Sequence, residues 1–229
     1  MKFANPSSRT VTVRKNNIHV KYKMTTIRDS DKLFIHVPKA AGTAFVKAYC
    51  HGRNAHHKRA INLTPEEFAR TVCIVRNPYE RLWSAYNYIR QEKNMYHDNS
   101  NGSTTKHALH DKLINLTFTE FVTALYNKEI SRQSVHLKTQ AWFIVNSTGR
   151  PCPIMLRYEH LAYDLRRMLN LDASRMPVLN KSTESNSWSK QYTANTMRMV
   201  YEIYKVDFDL CGYTRGGKCR PKPQLKMRM

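Results

Sequence analysis

Two short segments of this chain carry residues that commonly bind phosphate groups. In the first, residues 32–45, an apolar stretch runs into a loop with Lys39, Gly42 and Thr43, and helix-like sequence follows. A loop between a strand and a helix can hold phosphate, because backbone N–H groups and the positive end of the helix dipole converge there. The lysine precedes the glycine, so the order differs from that of a Walker A loop. We therefore expect a phosphate-binding loop of another kind.

The second segment, residues 71–86, predicts a strand followed by a helix. Residues 72–75 form a short, mostly β-branched run that is typical of a buried strand. Asn77 and Pro78 interrupt this run, and proline suits the first turn of a helix. Apolar side chains then recur at helical spacing, at Leu82, Ala85, Tyr86 and Ile89.

Arg76 and Ser84 are the phosphate-binding candidates of this second segment. Arg76 directly follows the predicted strand, and Ser84 lies about two turns into the predicted helix. Ligands of open α/β sheets bind at the carboxyl ends of strands. A guanidinium fork and a nearby hydroxyl group are suitable donors for a phosphate monoester. The alternative is that Arg76 only forms a surface ion pair with Glu80.

In this order, the two segments resemble those of the sulfotransferases that use 3′-phosphoadenosine 5′-phosphosulfate (PAPS). They look most like the carbohydrate branch, which modifies chondroitin, dermatan, heparan and related glycans. Later blocks that resemble the same family are residues 136–140, 157–165, 178–182 and 200–213. The resemblance covers residues 32–213, and it implies transfer of a sulfuryl group from PAPS to a carbohydrate hydroxyl without a metal ion.

By this resemblance, the first loop holds the 5′-phosphosulfate and the second segment holds the 3′-phosphate. Lys39 is implied to be catalytic, because its ammonium group would neutralise charge on the oxygen that links sulfur to the 5′-phosphate. Gly42 is expected to let the backbone approach the phosphate closely. Ala44 departs from the family, whose members often carry a second hydroxyl residue there. The predicted donor contacts are Pro38, Lys39, Ala41, Gly42, Thr43, Ala44, Arg76, Ser84, Lys181 and Ser182. For Lys181 and Ser182 the alternative is a plain loop without a ligand.

The acceptor hydroxyl needs a general base, and histidine has a suitable pKa near neutrality. In the carbohydrate branch a histidine often lies between the two nucleotide loops, and His56 and His57 occupy that interval. We take His57 as the candidate base and His56 as a candidate acceptor contact, the alternative being a surface pair in a basic loop. His136 and Gln140 are predicted to line the acceptor groove, or else to cap a helix face. His36, on the first strand, is expected to be packed in the core.

Strands that alternate with helices predict an α/β fold with a mainly parallel sheet. The resemblance makes this a P-loop-like three-layer sandwich, with the sheet in the centre and helices flanking it. We expect a basic N-terminal appendage (residues 1–31), a sulfotransferase domain (32–213) and a basic C-terminal tail (214–229).

Several elements can be placed within these parts. Within the appendage, the alternating pattern of residues 10–14 and 18–22 predicts a small hairpin. The polar segment 91–110 predicts a long loop of the length that functional lids have. Thr117 and Glu120 form a capping-box signature for a helix that ends at Tyr126. In the C-terminal half, the sequence predicts a strand at 153–157 and a helix at 159–169. It also predicts a helix at 192–206, whose apolar side chains recur at core spacing at Met197, Val200, Tyr201 and Tyr204.

The chain is strongly basic. Its 229 residues include 38 Lys and Arg against 17 Asp and Glu, a net charge of +21. Such an excess indicates an anionic partner. Nucleic acid is the general expectation, but no zinc-finger spacing, RNA-recognition signature or helix-turn-helix pattern is present. A nucleotide with three anionic groups, together with an acidic glycan, accounts for the charge equally well.

No run of the sequence reaches the roughly 20 apolar residues of a membrane span, and the N-terminus lacks the apolar core of a signal peptide. We therefore expect a soluble protein. It would be cytoplasmic if its source is microbial or viral, and would lie in the Golgi lumen if the chain is a fragment of a longer eukaryotic enzyme. The oligomeric state does not follow from the sequence.

Two other classes of function remain open. A P-loop-like phosphotransferase with an unusual loop would need Mg²⁺ and an acidic residue at a strand end to bind it. A non-catalytic module that binds nucleotides or polyanions would bind its ligand without turnover and would not depend on Lys39.

Overall fold

A computed structural model describes residues 10–15, 18–23, 25–51, 58–91, 98–99, 103–104, 107–177 and 188–220. For residues 10–15, 18–23, 98–99 and 103–104 only the backbone is described. The strands are β1 (Thr10–Lys15), β2 (Ile18–Lys23), β3 (Thr25–Ile27), β4 (Leu33–Ile35), β5 (Cys50–His51), β6 (Thr71–Val75), β7 (Asp98–Asn99), β8 (Ser103–Thr104) and β9 (Ile154–Arg157). The helices are α1 (Gly42–Tyr49), α2 (Pro65–Phe68), α3 (Pro78–Ile89), α4 (His110–Leu113), α5 (Phe118–Tyr126), α6 (Ala141–Ile144), α7 (Leu161–Leu169) and α8 (Ala194–Leu210).

A five-stranded mixed sheet, in the order β5-β3-β4-β6-β9, is the centre of the fold. β4, β6 and β9 are parallel, whereas β3 runs antiparallel to both β4 and β5. Every residue of β4 and β6 is buried, as is usual for parallel strands covered on both faces. The prediction of an α/β fold with a mainly parallel sheet flanked by helices is therefore confirmed.

The described chain divides into two compact units, each built from two separate stretches. The first unit consists of residues 1–75 and 140–179, and it contains the five-stranded sheet with α1, α2, α6 and α7. The second unit consists of residues 76–139 and 180–229, and it contains α3, α4, α5 and α8. β3 lies within the segment expected to be an appendage, yet it is a strand of the central sheet. The three-part division of the chain stays a prediction.

Most of the locally encoded elements form as predicted. The N-terminal hairpin is the antiparallel pair β1–β2. Thr117 and Glu120 close a reciprocal capping box at the start of α5. α7 begins two residues later than predicted, because residues 158–160 form a 3₁₀ turn. In the segment expected to be a long loop, β7 and β8 form a short antiparallel pair.

The last helix, α8, is longer than the sequence indicated. It runs from Ala194 to Leu210, because Thr193 caps its first turn and a kink at Tyr204 does not end it. Val200 and Tyr204 are buried as predicted, whereas Met197 and Tyr201 are only half-buried. Beyond the kink, Asp207 and Phe208 are also buried.

A buried ion pair joins α3 and α8 in the second unit. Arg81, on α3, lies 4.0 Å from the carboxylate of Asp207, on α8, and the two side chains are 2% and 0% exposed. The same guanidinium donates hydrogen bonds to the backbone carbonyls of Lys138 at 2.6 Å and His136 at 3.5 Å. The Tyr204 hydroxyl donates to the carbonyl between them, that of Leu137, at 2.9 Å. Three consecutive carbonyls are therefore held by side chains of α3 and α8.

The substitution Arg81→Met tests the importance of this pair. It leaves the Asp207 carboxylate buried without its cation, so we expect the free energy of unfolding to fall by about 3–5 kcal/mol. Chemical denaturation measures the change. Arg198→Met is the matched control, because it removes an exposed ion pair with Glu202 one helical turn away, and it should cost less than about 1 kcal/mol. Equal losses in the two variants would contradict the structural role of Arg81.

Candidate functional site

The first candidate segment, in the first unit, is the loop between β4 and α1. Two of its residues adopt left-handed backbone conformations, Lys39 with φ 65° and Ala41 with φ 62°. Such conformations are uncommon outside glycine, and alternating them with right-handed residues turns successive N–H groups toward one side of the backbone. The two left-handed residues of this loop are therefore compatible with an anion-binding turn.

The N-terminus of α1 is open to an anion. Ala41 is the N-cap residue, and no side chain in the described part of the chain caps the helix. The first turn of α1 carries no acidic residue. The first N–H groups of a helix have no intrahelical acceptor, and the helix dipole gives this end a partial positive charge. An anionic group is the natural partner for this helix end.

The packing of the His36 side chain requires a glycine at position 42. A β-carbon on residue 42 would lie 2.0 Å from Cδ2 and 2.4 Å from Nε2 of the His36 ring. His36 is 7% exposed, and its ring stacks on Phe34 with the ring centres 6.2 Å apart. The expectation that His36 is packed in the core is confirmed. The glycine therefore allows an imidazole to pack against the start of the helix.

The other predicted residues of this loop differ in exposure. Pro38 and Ala44 are buried, whereas Lys39, Ala41 and Thr43 are half-buried. The lysine and threonine side chains thus retain access to solvent, as donors to a ligand must. Ala44, at 8% exposure, faces the interior, where a methyl group packs without an unsatisfied polar atom.

The second candidate segment, at the start of α3, belongs to the second unit. The Asn77 side chain caps the helix by accepting from the Tyr79 N–H at 2.9 Å, and Pro78 occupies the first turn. The Asn77 amide also donates to the Gly217 carbonyl at 2.6 Å, and the Tyr79 hydroxyl donates to the Arg215 carbonyl at 2.7 Å. Residues 215–217 thus stabilise the start of α3, although the sequence predicted that they belong to the C-terminal tail.

Arg76 forms an ion pair with Glu80 at 2.7 Å, with the side chains 14% and 22% exposed. This is the contact that the sequence raised as the alternative to phosphate binding. A guanidinium has five N–H donors, and the ion pair with Glu80 runs through Nη2. Ser84 is half-buried and lies one turn beyond Glu80 on the same side of α3. Arg76, Glu80 and Ser84 thus follow one another at intervals of four residues in the sequence.

The two residues expected to line the acceptor groove are buried. His136 is 7% exposed, and its ring lies 4.6 Å from that of Tyr88 and 5.4 Å from that of His107. The His107 ring also bonds to the Ser134 hydroxyl at 3.1 Å. His107 escaped sequence reasoning because it follows a polar segment without periodicity. Gln140 is fully buried in the first unit, where its carbonyl accepts from the N–H groups of Phe143 and Ile144 in α6.

Four predicted residues, His56, His57, Lys181 and Ser182, lie outside the described part of the chain. Lys58 is the first described residue after His57. Its burial lowers its pKa to about 8, although the negative charge of Glu67 opposes this shift. Arg59 is fixed beside it, with its guanidinium 4.0 Å above the Trp142 ring and Nε donating to the Trp142 carbonyl at 3.1 Å. This lowered pKa of Lys58 follows from its burial, which residue type alone does not reveal.

Within the described ranges, no three His, Cys, Asp or Glu side chains come together as a metal site. Of the helices that the structure describes, none combines the length and apolar character needed to cross a membrane.

The substitution Gly42→Ala tests the packing of the loop between β4 and α1. Its new methyl group would collide with the His36 ring, so we expect a loss of about 1–3 kcal/mol in the free energy of unfolding. Gly216→Ala is the control, because the nearest atom to its new β-carbon is 3.9 Å away, and it should be close to neutral. Adding His36→Ala to Gly42→Ala should recover part of the loss. A double variant less stable than the sum of the singles would contradict the collision.

Comparison with known proteins identifies the family. The model of the sulfotransferase family matches residues 23–214, which is most of the chain and includes both candidate segments. No curated protein and no solved structure matches the chain. The matched region also includes the whole five-stranded sheet. The chain therefore belongs to the sulfotransferase family.

Proposed function

We propose that this protein transfers the sulfuryl group of PAPS to a hydroxyl group of an anionic carbohydrate. The observation that carries the proposal is the position of Lys39 in a sulfotransferase-family chain. It lies in a left-handed conformation in the loop before a helix that no described side chain caps. A lysine and the first N–H groups of a helix suit the negative charge of a phosphosulfate, which supports the proposal.

The proposed reaction is an in-line displacement at sulfur. A bond forms between the acceptor oxygen and sulfur while the bond from sulfur to the bridging oxygen breaks, which leaves negative charge on the 5′-phosphate. Lys39 would neutralise that charge, and the first N–H groups of α1, at Gly42 and Thr43, would hold the phosphate oxygens. Pro38, Ala41 and Ala44 would contribute through the shape of the loop.

We assign the 3′-phosphate of the donor to the second segment. The Arg76 guanidinium would contribute charge and directed donors, and the Ser84 hydroxyl a further hydrogen bond. Glu80, which the guanidinium contacts through Nη2, would keep Arg76 oriented in the absence of nucleotide. Lys181 and Ser182 remain proposed contacts from the late block of the family pattern.

The acceptor side of the proposal rests on histidines. His57 would take the proton from the attacking hydroxyl, with His56 beside it as an acceptor contact. His136 and Gln140, which are both buried, remain proposed acceptor contacts. The net charge of +21 favours an anionic acceptor. A phosphotransferase or a non-catalytic polyanion-binding module would be the alternatives.

The variant Lys39→Ala tests the donor site. Transfer of labelled sulfate from PAPS to a panel of desulfated glycans should fall about 10²–10³-fold in kcat, because charge on the leaving oxygen is no longer neutralised. Arg150→Gln, an exposed substitution, is the control for lost positive charge and should keep activity. Turnover of ATP in place of PAPS, or dependence on Mg²⁺, would favour the phosphotransferase. Absence of both turnover and binding of 3′-phosphoadenosine 5′-phosphate to the wild-type protein would overturn the proposal.

The variant His57→Ala tests the general base. Removal of the base should lower kcat about 10²–10⁴-fold. In the wild-type protein kcat should decline as the pH falls below about 6.5, because protonated imidazole cannot accept the proton. This decline should vanish from the residual activity of the variant. His160→Ala, at an exposed position, should keep the wild-type pH profile. A variant with full activity and an unchanged profile would assign the base elsewhere.

A further inference from the structure

The carboxylate of Glu80 lies against the arginine that we assign to the 3′-phosphate of the donor. Arg76 Nη2 is 2.7 Å from Glu80 Oε1, and the two side chains are 14% and 22% exposed. Because the pair is shielded from most of the solvent, water screens its charges less than those of a fully exposed pair. The protein itself therefore supplies a counter-charge to Arg76.

The N-termini of α1 and α3 differ in this respect. The first turn of α1 carries no acidic residue, and no described side chain caps it. The first turn of α3 carries Glu80, and the Asn77 side chain caps it. The helix dipole stabilises a carboxylate in the first turn of a helix. The start of α3 thus contains an anion of its own, whereas the first turn of α1 does not.

We propose that Glu80 limits the affinity of the protein for the 3′-phosphate that PAPS and its product share. The inference rests on the proposed function, because it requires that Arg76 binds this phosphate. A guanidinium is compact and planar. A phosphate that accepts from its other N–H groups therefore lies close to the carboxylate that contacts Nη2. Like charges at such a short distance repel each other, and partial burial strengthens the repulsion. Glu80 thus orients Arg76 and at the same time opposes the ligand that Arg76 binds.

The chemistry of the proposed reaction explains why such a restraint is useful. Sulfuryl transfer changes the 5′ side of the nucleotide and leaves its 3′-phosphate intact. Binding energy from the 3′-phosphate therefore stabilises donor, transition state and product alike, which lowers KM without raising kcat. Excess affinity for this group would retain the product and slow its exchange for new donor. A carboxylate beside Arg76 keeps the contribution of the 3′-phosphate small.

The substitution Glu80→Gln tests this role, because it removes the charge and keeps an oxygen that can accept from Arg76. Binding of 3′-phosphoadenosine 5′-phosphate, measured by isothermal titration calorimetry, should become about tenfold tighter because the repulsion is lost. Binding of adenosine 5′-phosphate, which lacks the 3′-phosphate, should change less than about twofold. In the sulfate-transfer assay, KM for PAPS should fall while kcat does not rise.

Glu202→Gln is the matched control. Arg198 and Glu202 form an ion pair with the same four-residue spacing on α8, with Nη1 3.0 Å from Oε1, but both side chains are exposed. The control variant removes the same charge and should bind both nucleotides as the wild-type protein does. A second variant, Glu80→Ala, removes the charge together with the acceptor that orients the guanidinium. It should therefore gain less affinity than Glu80→Gln.

The outcomes separate this inference from the proposed function. If the wild-type protein binds 3′-phosphoadenosine 5′-phosphate and Glu80→Gln binds it equally or more weakly, Glu80 only orients Arg76. The inference then fails while the donor assignment stands. Equal gains in Glu80→Gln and Glu202→Gln would be an effect of net charge and would also overturn it, as would an equal gain for adenosine 5′-phosphate. Failure of the wild-type protein to bind either nucleotide would overturn the proposed function, and the inference with it.

Discussion

The buried pair of Arg81 and Asp207 is the interaction on which the second unit depends. A guanidinium and a carboxylate lose hydration when they are buried, and this cost is offset only where hydrogen bonds satisfy the remaining polar atoms. Arg81 meets that requirement through the carbonyls of residues 136 and 138. Burial lowers the pKa of Arg81, and the charge of Asp207 opposes the change. One side chain thus links α3, α8 and the segment that carries His136 and Lys138.

A steric constraint has the corresponding role in the first unit. The His36 ring occupies the space beside residue 42, so the chain can begin α1 there only with a glycine. Two left-handed residues immediately before the helix complete the turn. Because β4 and β6 are parallel neighbours, with Ile35 opposite Cys73, the chain leaves both strands at the same edge of the sheet. That edge is where open α/β folds bind their ligands.

The basic character of the chain is not spread uniformly over its surface. Arg81 is an internal residue, Arg59 lies over Trp142, and Arg90 lies 4.9 Å from the centre of the Tyr86 ring while donating to the Ile114 carbonyl. These arginines stabilise the units through planar stacking and directed hydrogen bonds, which lysine cannot reproduce. Lys128 and Arg132, by contrast, are exposed. Net charge alone therefore says little about where an anion binds.

The sequence by itself determined those features that depend on neighbours along the chain. A short, mostly β-branched run predicted β6, and the capping box predicted α5. Two short segments, one with Lys39 and Gly42 and one with Arg76 and Ser84, indicated the family. Each of these signals is a contiguous stretch of sequence. Tertiary structure alone decided that Arg81 is internal, that His36 dictates Gly42 and that His107 packs against His136. Each of these contacts joins residues whose burial depends on the folded chain around them, and residue type and spacing do not encode that environment.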